Sequence, residues 1–523
     1  MAKAQEIQDS ERPAIPKAAW FALFVLTAAN VLNYLDRQIV SILGQSIKED
    51  LALDDAQLGF LLGTAFAIFY SVVGIAMGGI ADRLTRKKVM AFGLTLWSAM
   101  TALGGVATGF VSLSLARIGV GIGEAAAVPC AQSLVAETFP PRHRTLAMGT
   151  YVSAAFLGGA IAMIAGGWFL QNWPTACAAV PVAGACGLAP WKAALFAVAA
   201  PGIPVALLLL LVREPYRAPP ADGVTGIAPV VSRQFAVALP PFSNVTVWRI
   251  GGAPALRRNM TMVAGIAMAT AMLVWLTGDL AQWVSLGFGA VAVVTWGQIQ
   301  SLADKPLFRL TLGDPSFLLV TLSTALSSCI FSSMSAWSAP LAMRHFPGIP
   351  KGELGLGLGL AHPMASFIGI YVGSWITDRW KARDPRASFL MGAVSMAGAL
   401  PFVVLAILAR DYSLFLMAYF GIGFMVSLWS GATATMIQDL SLPRMRGQAA
   451  ACYSMIVLVL SFGLGAYWAG KVSTVTGSLE IGILSMLLLA PVVIAMQLAG
   501  ARRLPGETFA ARRALAEAAG EPA

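Results

Sequence analysis

The chain has 523 residues, 58% of them hydrophobic and only 11% charged, with a mean hydropathy of +0.74. Soluble domains carry about a quarter charged residues, so a soluble globular chain is excluded and a polytopic membrane protein is implied. The net charge of +10 does not indicate nucleic acid, because the cations sit in short clusters between apolar runs, which is the positive-inside pattern of membrane proteins.

A polar segment, 1–17, precedes the first apolar run, 18–47, which is long enough to cross a bilayer as a helix. Asp36 and Arg37 stand in its middle. Such groups cost about 2.5 to 3.5 kcal/mol each at a span centre and mark functional sites. At about 100° per residue, Asn30, Asn33, Arg37 and Ser41 share one narrow face, and Asp36 points away from it. Further spans follow near 57–80, 89–108, 112–135, 145–170 and 191–212, completing a first six-helix half over 18–213. A polar, Pro-rich linker, 214–258, leads to two more apolar runs within 259–303, read as an inserted hairpin peripheral to the core that adds no residue to the cavity. Six last spans, near 317–341, 354–377, 387–409, 414–437, 448–469 and 481–499, form a second half over 304–501. The tail, 502–523, reads as a solvated amphipathic helix. The expected architecture is therefore all-α, two six-helix halves plus two inserted helices, with 14 transmembrane spans.

Of the 35 lysines and arginines, 27 fall on one side of this topology. That side is expected to be cytoplasmic and to hold both termini, with the chain in the cell's inner membrane. Cys177 and Cys186 share a loop on the opposite side and are expected to pair if that side is oxidising. Cys130, Cys329 and Cys452 fall within apolar spans and read as packing residues.

The halves repeat each other. Glu137-Thr-Phe-Pro-Pro-Arg-His-Arg144 recurs 302 residues later as Asp439-Leu-Ser-Leu-Pro-Arg-Met-Arg446, and Ile80-Ala-Asp-Arg83 recurs as Ile376-Thr-Asp-Arg379. Paired repeats of this kind are a signature of transporters whose site lies between the halves.

With the stretch Gly78-Gly-Ile-Ala-Asp-Arg-Leu-Thr-Arg-Lys-Lys88, a loop signature between spans 2 and 3, these motifs resemble the major facilitator superfamily over nearly the whole chain. The signature has Gly where this chain has Thr85, and the antiporter motif of span 5 is degraded to Ala162-Met163 before Gly166-Gly167. Asn33-Tyr-Leu-Asp-Arg37 and Arg117-Ile-Gly-Val-Gly-Ile-Gly-Glu-Ala125 are similar to the Spinster family of lysolipid and sphingosine phosphate transporters; organic anion symporters share the second run. The inserted hairpin is similar to that of peptide transporters, but their Glu-x-x-Glu-Arg motif is missing from span 1. The resemblance implies that Asp82, Arg83, Glu137, Arg144, Asp378, Arg379, Asp439 and Arg446 latch a cytoplasmic gate.

Arg117 and Glu124 lie seven residues apart, about 20° off one another and about 10.5 Å apart along one helix face. With Asp36 and Arg37 they make a neutral quartet inside the membrane. Protonating either acid leaves one positive charge, a reason for an anion and a proton to bind together. Asp36 and Glu124 are thus the expected proton carriers. Arg37 is the expected anion ligand, with Arg117 tuning both acids because it shares a face with Glu124. The substrate set is completed by Asn33, Tyr34 and, from an aromatic second half, Trp337 and Tyr453. His362, before Pro363, reads as a hydrogen bonder at a helix kink.

The expected function is secondary active transport of a lipid-like anionic amphiphile, coupled to protons; the alternative is symport of small organic carboxylates. No catalytic residue, cofactor or metal is implied, since none of the three histidines falls in a hydrolase or metal motif and no Walker A sequence is present. The expected partners are the lipid bilayer, the substrate and protons, with no nucleic acid, and the chain is expected to act as a monomer.

Overall fold

The structure, a computed structural model, describes residues 16–215 and 226–521. Most of the N-terminal segment 1–17, ten residues of the linker and the last two of the tail lie outside the described residues. Among the described residues the chain is helical, without strands, and 13 helices are long and apolar enough to cross a membrane.

The first half comprises α1 (Lys17–Asp50), α2 (Asp55–Leu62), α3 (Thr64–Arg83), α4 (Arg86–Gly104), α5 (Phe110–Glu124), α6 (Ala127–Thr138), α7 (Pro141–Ala176), α8 (Pro190–Ala199) and α9 (Gly202–Leu211). Between the halves run α10 (Ile227–Ala238), α11 (Phe242–Thr277) and α12 (Leu280–Ala303). A short α13 (Lys305–Leu310) then leads into the second half: α14 (Pro315–His345), α15 (Lys351–Lys381), α16 (Ala387–Leu408), α17 (Tyr412–Ser427), α18 (Ser430–Asp439), α19 (Arg446–Thr476), α20 (Leu479–Met486) and α21 (Ala490–Arg503). The tail forms α22 (Phe509–Glu517). α4 opens with Arg86, Lys87 and Lys88, and it is not among the 13.

Several spans that read as single apolar runs are broken. The break between α8 and α9 falls at Ala200-Pro201, where proline cannot donate to the helical ladder. The breaks after α5 and after α17 fall at Glu124 and Ser427, almost the repeat offset apart, so the bend belongs to the repeated unit. The break at Gly63 is set by packing, because a Cβ there would stand 2.2 Å from the carbonyl oxygen of Phe462.

α1 packs along α7 and α14 along α19, while α7 against α15 and α2–α3 against α19 join the two halves. The Cys177–Cys186 disulfide, with Cα atoms 5.0 Å apart, marks one end of the bundle; the tail helix marks the other. At the disulfide end the halves meet closely, since a Cβ on Gly355 would stand 2.4 Å from the Met163 carbonyl oxygen.

The hairpin packs beside the halves, α12 against α3 and α19, with Gly289 against Ile68 and Val459. Its buried Gln282 accepts from Thr64 of the first half at 2.7 Å and donates to the Gly463 carbonyl of the second at 2.6 Å. Among the 13 spans, only α11 has no buried residue in its membrane-length window. The expectation of a solvated tail fails: Arg512 is fully buried, pairs with Asp314 at 2.9 Å and Glu507 at 3.0 Å, and donates to the Leu440 and Leu310 carbonyls. A buried guanidinium with this many acceptors holds α22 against the core.

Candidate functional site

Glu124 closes α5 at the break, fully buried, and faces α1. Arg37 Nε donates to Glu124 Oε2 at 2.7 Å, and its guanidinium carbon lies 4.4 Å from the Tyr70 ring centre, 4.8 Å from Phe66 and 5.2 Å from Tyr34. Contacts of a desolvated guanidinium with aromatic faces are worth about 2 kcal/mol. The box therefore holds Arg37 in one orientation while its Nη2 remains buried without an acceptor among the described residues. Asn33 is fully buried one turn before it. Tyr70 and Phe66 were missed in the sequence, although their spacing of four on α3 places them on one face.

The assignment of partners within the quartet is reversed. Arg37, expected to be the free anion ligand, is the residue paired with Glu124. Arg117, expected to be occupied by Glu124, makes no ion pair among the described residues and donates only to the Asp36 backbone oxygen at 3.3 Å. The reason is distance: two turns along one helix exceed the reach of a direct pair, whereas α1 presents Arg37 across the break. Asp36 turns into the interior of the first half and accepts from Thr101 at 2.8 Å.

A cavity of about 190 Å³ adjoins the box through Tyr34 and lies beneath the α7–α15 seam. Gln38 of α1, Phe156 and Gly159 of α7, Ser335 of α14, His362 of α15 and Tyr419 of α17 complete much of its wall, so both halves contribute. His362 faces the Tyr419 ring at 5.2 Å and approaches Ser366 at 3.5 Å. The aromatic partners expected from the second half are elsewhere. Trp337 is fully buried, its indole N–H on the Ala466 carbonyl at 2.8 Å, in the contact of α14 with α19. Tyr453 is half-buried in an apolar cluster with Trp429 and Leu460.

Among the described residues, two of the expected gate acids pair with cations outside the expected set. Glu137 pairs with Arg86 at 2.6 Å, and Arg86 also holds Glu214 at 3.0 Å. Asp439 pairs with Lys381 at 2.7 Å, and Arg379 stacks on Trp375 at 3.9 Å. Arg144, Asp378 and Arg446 make no ion pair among the described residues, while Asp82 and Arg83 are engaged in contacts. Each half thus uses a cation flanking the loop after its second span, Arg86 or Lys381, to hold the acid near the end of its fourth. At the disulfide end the sequence reading missed a hub: Asp55 accepts from Lys48 at 2.6 Å, Ser473 at 2.6 Å and both ends of the Arg344 fork at 2.9 and 2.7 Å, joining the halves. Its signal was present, because Lys48 and Arg344 are cations on the cation-poor side.

A sequence model of the Major Facilitator Superfamily matches residues 26–466. The chain belongs to that superfamily. It is 29% identical over 490 residues to an MFS-type efflux pump of Mycolicibacterium smegmatis, covering 93% of this chain and 92% of that relative. It is 27% identical over 391 residues to Protein spinster homolog 1 of Homo sapiens, covering 73% and 59%. A shorter match, 31% over 154 residues, is to the probable L-galactonate transporter of Escherichia coli, covering 29% and 34%. Among solved structures, a bacterial homolog to the human lysosomal transporter Spinster, in an inward-facing and unoccupied conformation, has a TM-score of 0.71 over 95% of this chain and 99% of that chain at 21% identity. That likeness is one of fold. The superfamily's members are transporters, and the chain is Spinster-like among them.

Proposed function

We propose that this facilitator moves an anionic amphiphile by alternating access, with the headgroup on Arg37 and the apolar tail along the α7–α15 seam. The observation that carries the proposal is the Arg37–Glu124 pair at 2.7 Å inside its aromatic box, beside a cavity walled by both halves. At about 190 Å³ that cavity is smaller than the 300 to 1,000 Å³ of ordinary ligand sites. It suits a headgroup while the tail remains outside it. The likeness to the sphingosine-1-phosphate transporter SPNS2 of Mus musculus, 25% identical over 86% of this chain, supports the same class, and the sugar-acid relative supports a small carboxylate only over a limited stretch.

An anion that takes the Arg37 fork displaces Glu124. A buried carboxylate stripped of its cation costs several kcal/mol, so Glu124 accepts a proton as the anion binds, and the two ligands travel together. Asp36 is the second acid within reach of this exchange, through Arg117. In this reading α4 supplies the fourteenth span of a six-two-six arrangement, the tail end faces the cytoplasm of a bacterial cell, and the joined disulfide end makes the conformation inward-facing.

Proteoliposomes supplied with a proton gradient test the scheme, using a lysophosphatidylglycerol as substrate and galactonate as competitor. Glu124→Gln should bind and exchange the lysolipid but no longer concentrate it, and Arg37→Ala should lose binding. Uphill uptake retained by both Glu124→Gln and Asp36→Asn would place the proton elsewhere. Saturable uptake of galactonate without any of the lysolipid would select the carboxylate reading.

A further inference from the structure

A second cavity, of about 540 Å³, lies at the tail end on the outer flank of the first half, between α3, α4, α5 and the linker helix α10. Its volume falls within the range of small-molecule sites. Its walls are apolar: Ile80 of α3, Phe92 and Leu96 of α4 and Ile122 of α5, under a roof that includes Val231 and Phe235 of α10. Of its lining side chains, only Thr85 and Lys88 are polar, and both belong to one end.

Lys88 is the uncommitted member of three consecutive cations. Arg86 holds Glu137 and Glu214, and Lys87 donates to the Leu210 and Val212 carbonyls at 3.0 Å. Lys88 is exposed and has no ion pair among the described residues. Phe92 and Leu96 follow it at intervals of four, so one face of α4 offers a cation and then about 12 Å of apolar wall. Phe92 is 69% exposed, so the groove opens toward the surroundings of the bundle.

The inner wall is closed. A Cβ on Gly93 would stand 2.7 Å from the Gly123 carbonyl oxygen, so α4 and α5 touch backbone to backbone between this cavity and the Glu124 site. The roof is held down as well: Val230 and Ala238 of α10 are buried against Ala76 and Ile80, and Gln234 presses on Gly79. An apolar slot with one cation at its mouth, open laterally and shut toward the transport site, matches a bilayer lipid in shape and charge.

We infer that this groove binds an anionic phospholipid of the tail-side leaflet, one acyl chain under α10 and the headgroup phosphate on Lys88. The site is independent of which substrate the Arg37 box carries.

The test uses the full chain in nanodiscs containing phosphatidylglycerol with a photoactivatable group in its acyl chain, and maps labelled peptides. Labelling should fall on the α4 and α10 peptides and exceed that by a phosphatidylcholine carrying the same group. Val231→Trp, which fills the slot, should lower it about ten-fold, a loss of about 1.4 kcal/mol. Lys88→Gln should keep the labelling but erase the headgroup preference. Phe92→Ala, at an exposed position that does not threaten folding, should lower labelling too. Labelling unchanged in both Val231→Trp and Phe92→Ala overturns the inference, as does equal labelling by the two lipids in the wild type. Displacement by the transported lysolipid would also overturn it, by assigning the groove to the substrate path.

Discussion

At the scale of single residues, the Arg37–Glu124 pair makes a claim on stability as well as on transport. Leaving one member of a buried pair without its partner costs about 3 to 5 kcal/mol, whereas replacing both by apolar groups is often neutral. Glu124→Leu should therefore lower the thermal stability of the purified protein sharply, and Glu124→Leu with Arg37→Leu should recover most of the loss. A double variant no more stable than Glu124→Leu would show that the two side chains are not energetically coupled. Arg37 and Glu124 were legible in the sequence because charge within an apolar run is rare enough to stand out. Their pairing was not, because the angular position of Arg117 and Glu124 on one helix carries no information about which neighbouring helix faces them. The same limit explains Trp337: an aromatic residue within a span reads alike whether it faces a cavity or closes a seam.

At the scale of elements, hydropathy located the spans but not all their breaks, since the one at Gly63 is set by what packs against it and the one at Glu124 recurs with the repeat. It also misjudged α22, whose polar composition conceals a buried Arg512. This tail helix is secured further by Arg444, which holds Asp304 at 3.0 Å and pairs with Glu521. Burial raises the Asp304 carboxyl, but hydrogen bonds from Arg444 and the Leu307 amide outweigh it and leave the group below its ordinary range. The Arg444 hydrogen bond likewise holds Glu521 low. Both acids are shifted down by folding, so their contribution is complete above the unfolded values of about 3.9 and 4.3 and is lost as pH falls through the lower folded values. Amide hydrogen exchange over 509–517, corrected for intrinsic rate, should be slow at neutral pH and progressively faster as pH falls below the unfolded values, and Arg444→Ala should show fast exchange in both conditions. Equal protection in the two conditions in the native chain would mean that Arg512 alone secures the helix.

At the scale of the whole molecule, the proposed alternating access requires the contacts at the disulfide end to separate, and two of these contacts can be changed singly. Asp55 collects cations from both halves, and at the second seam Gly355 lets the backbone approach Met163 closely, beside the hydrogen bond from the Gly352 amide to Gln171. Asp55→Asn preserves size and removes the charge that holds Lys48 and Arg344. Gly355→Val places atoms where the Met163 carbonyl now lies. Different in chemistry, the two changes both act against the joined arrangement, and a bias of about 2 kcal/mol moves a two-state ratio roughly 30-fold. Spin labels at positions 49 and 475, both exposed at the disulfide end of α1 and α19, should report one short distance in the parent chain and a longer population in each variant. The separation should appear without substrate, because neither residue lines the Arg37 cavity. Unchanged distances in both variants would mean that the joined end is held by distributed apolar packing of α2–α3 on α19, and the hub at Asp55 would then follow the transition without controlling it.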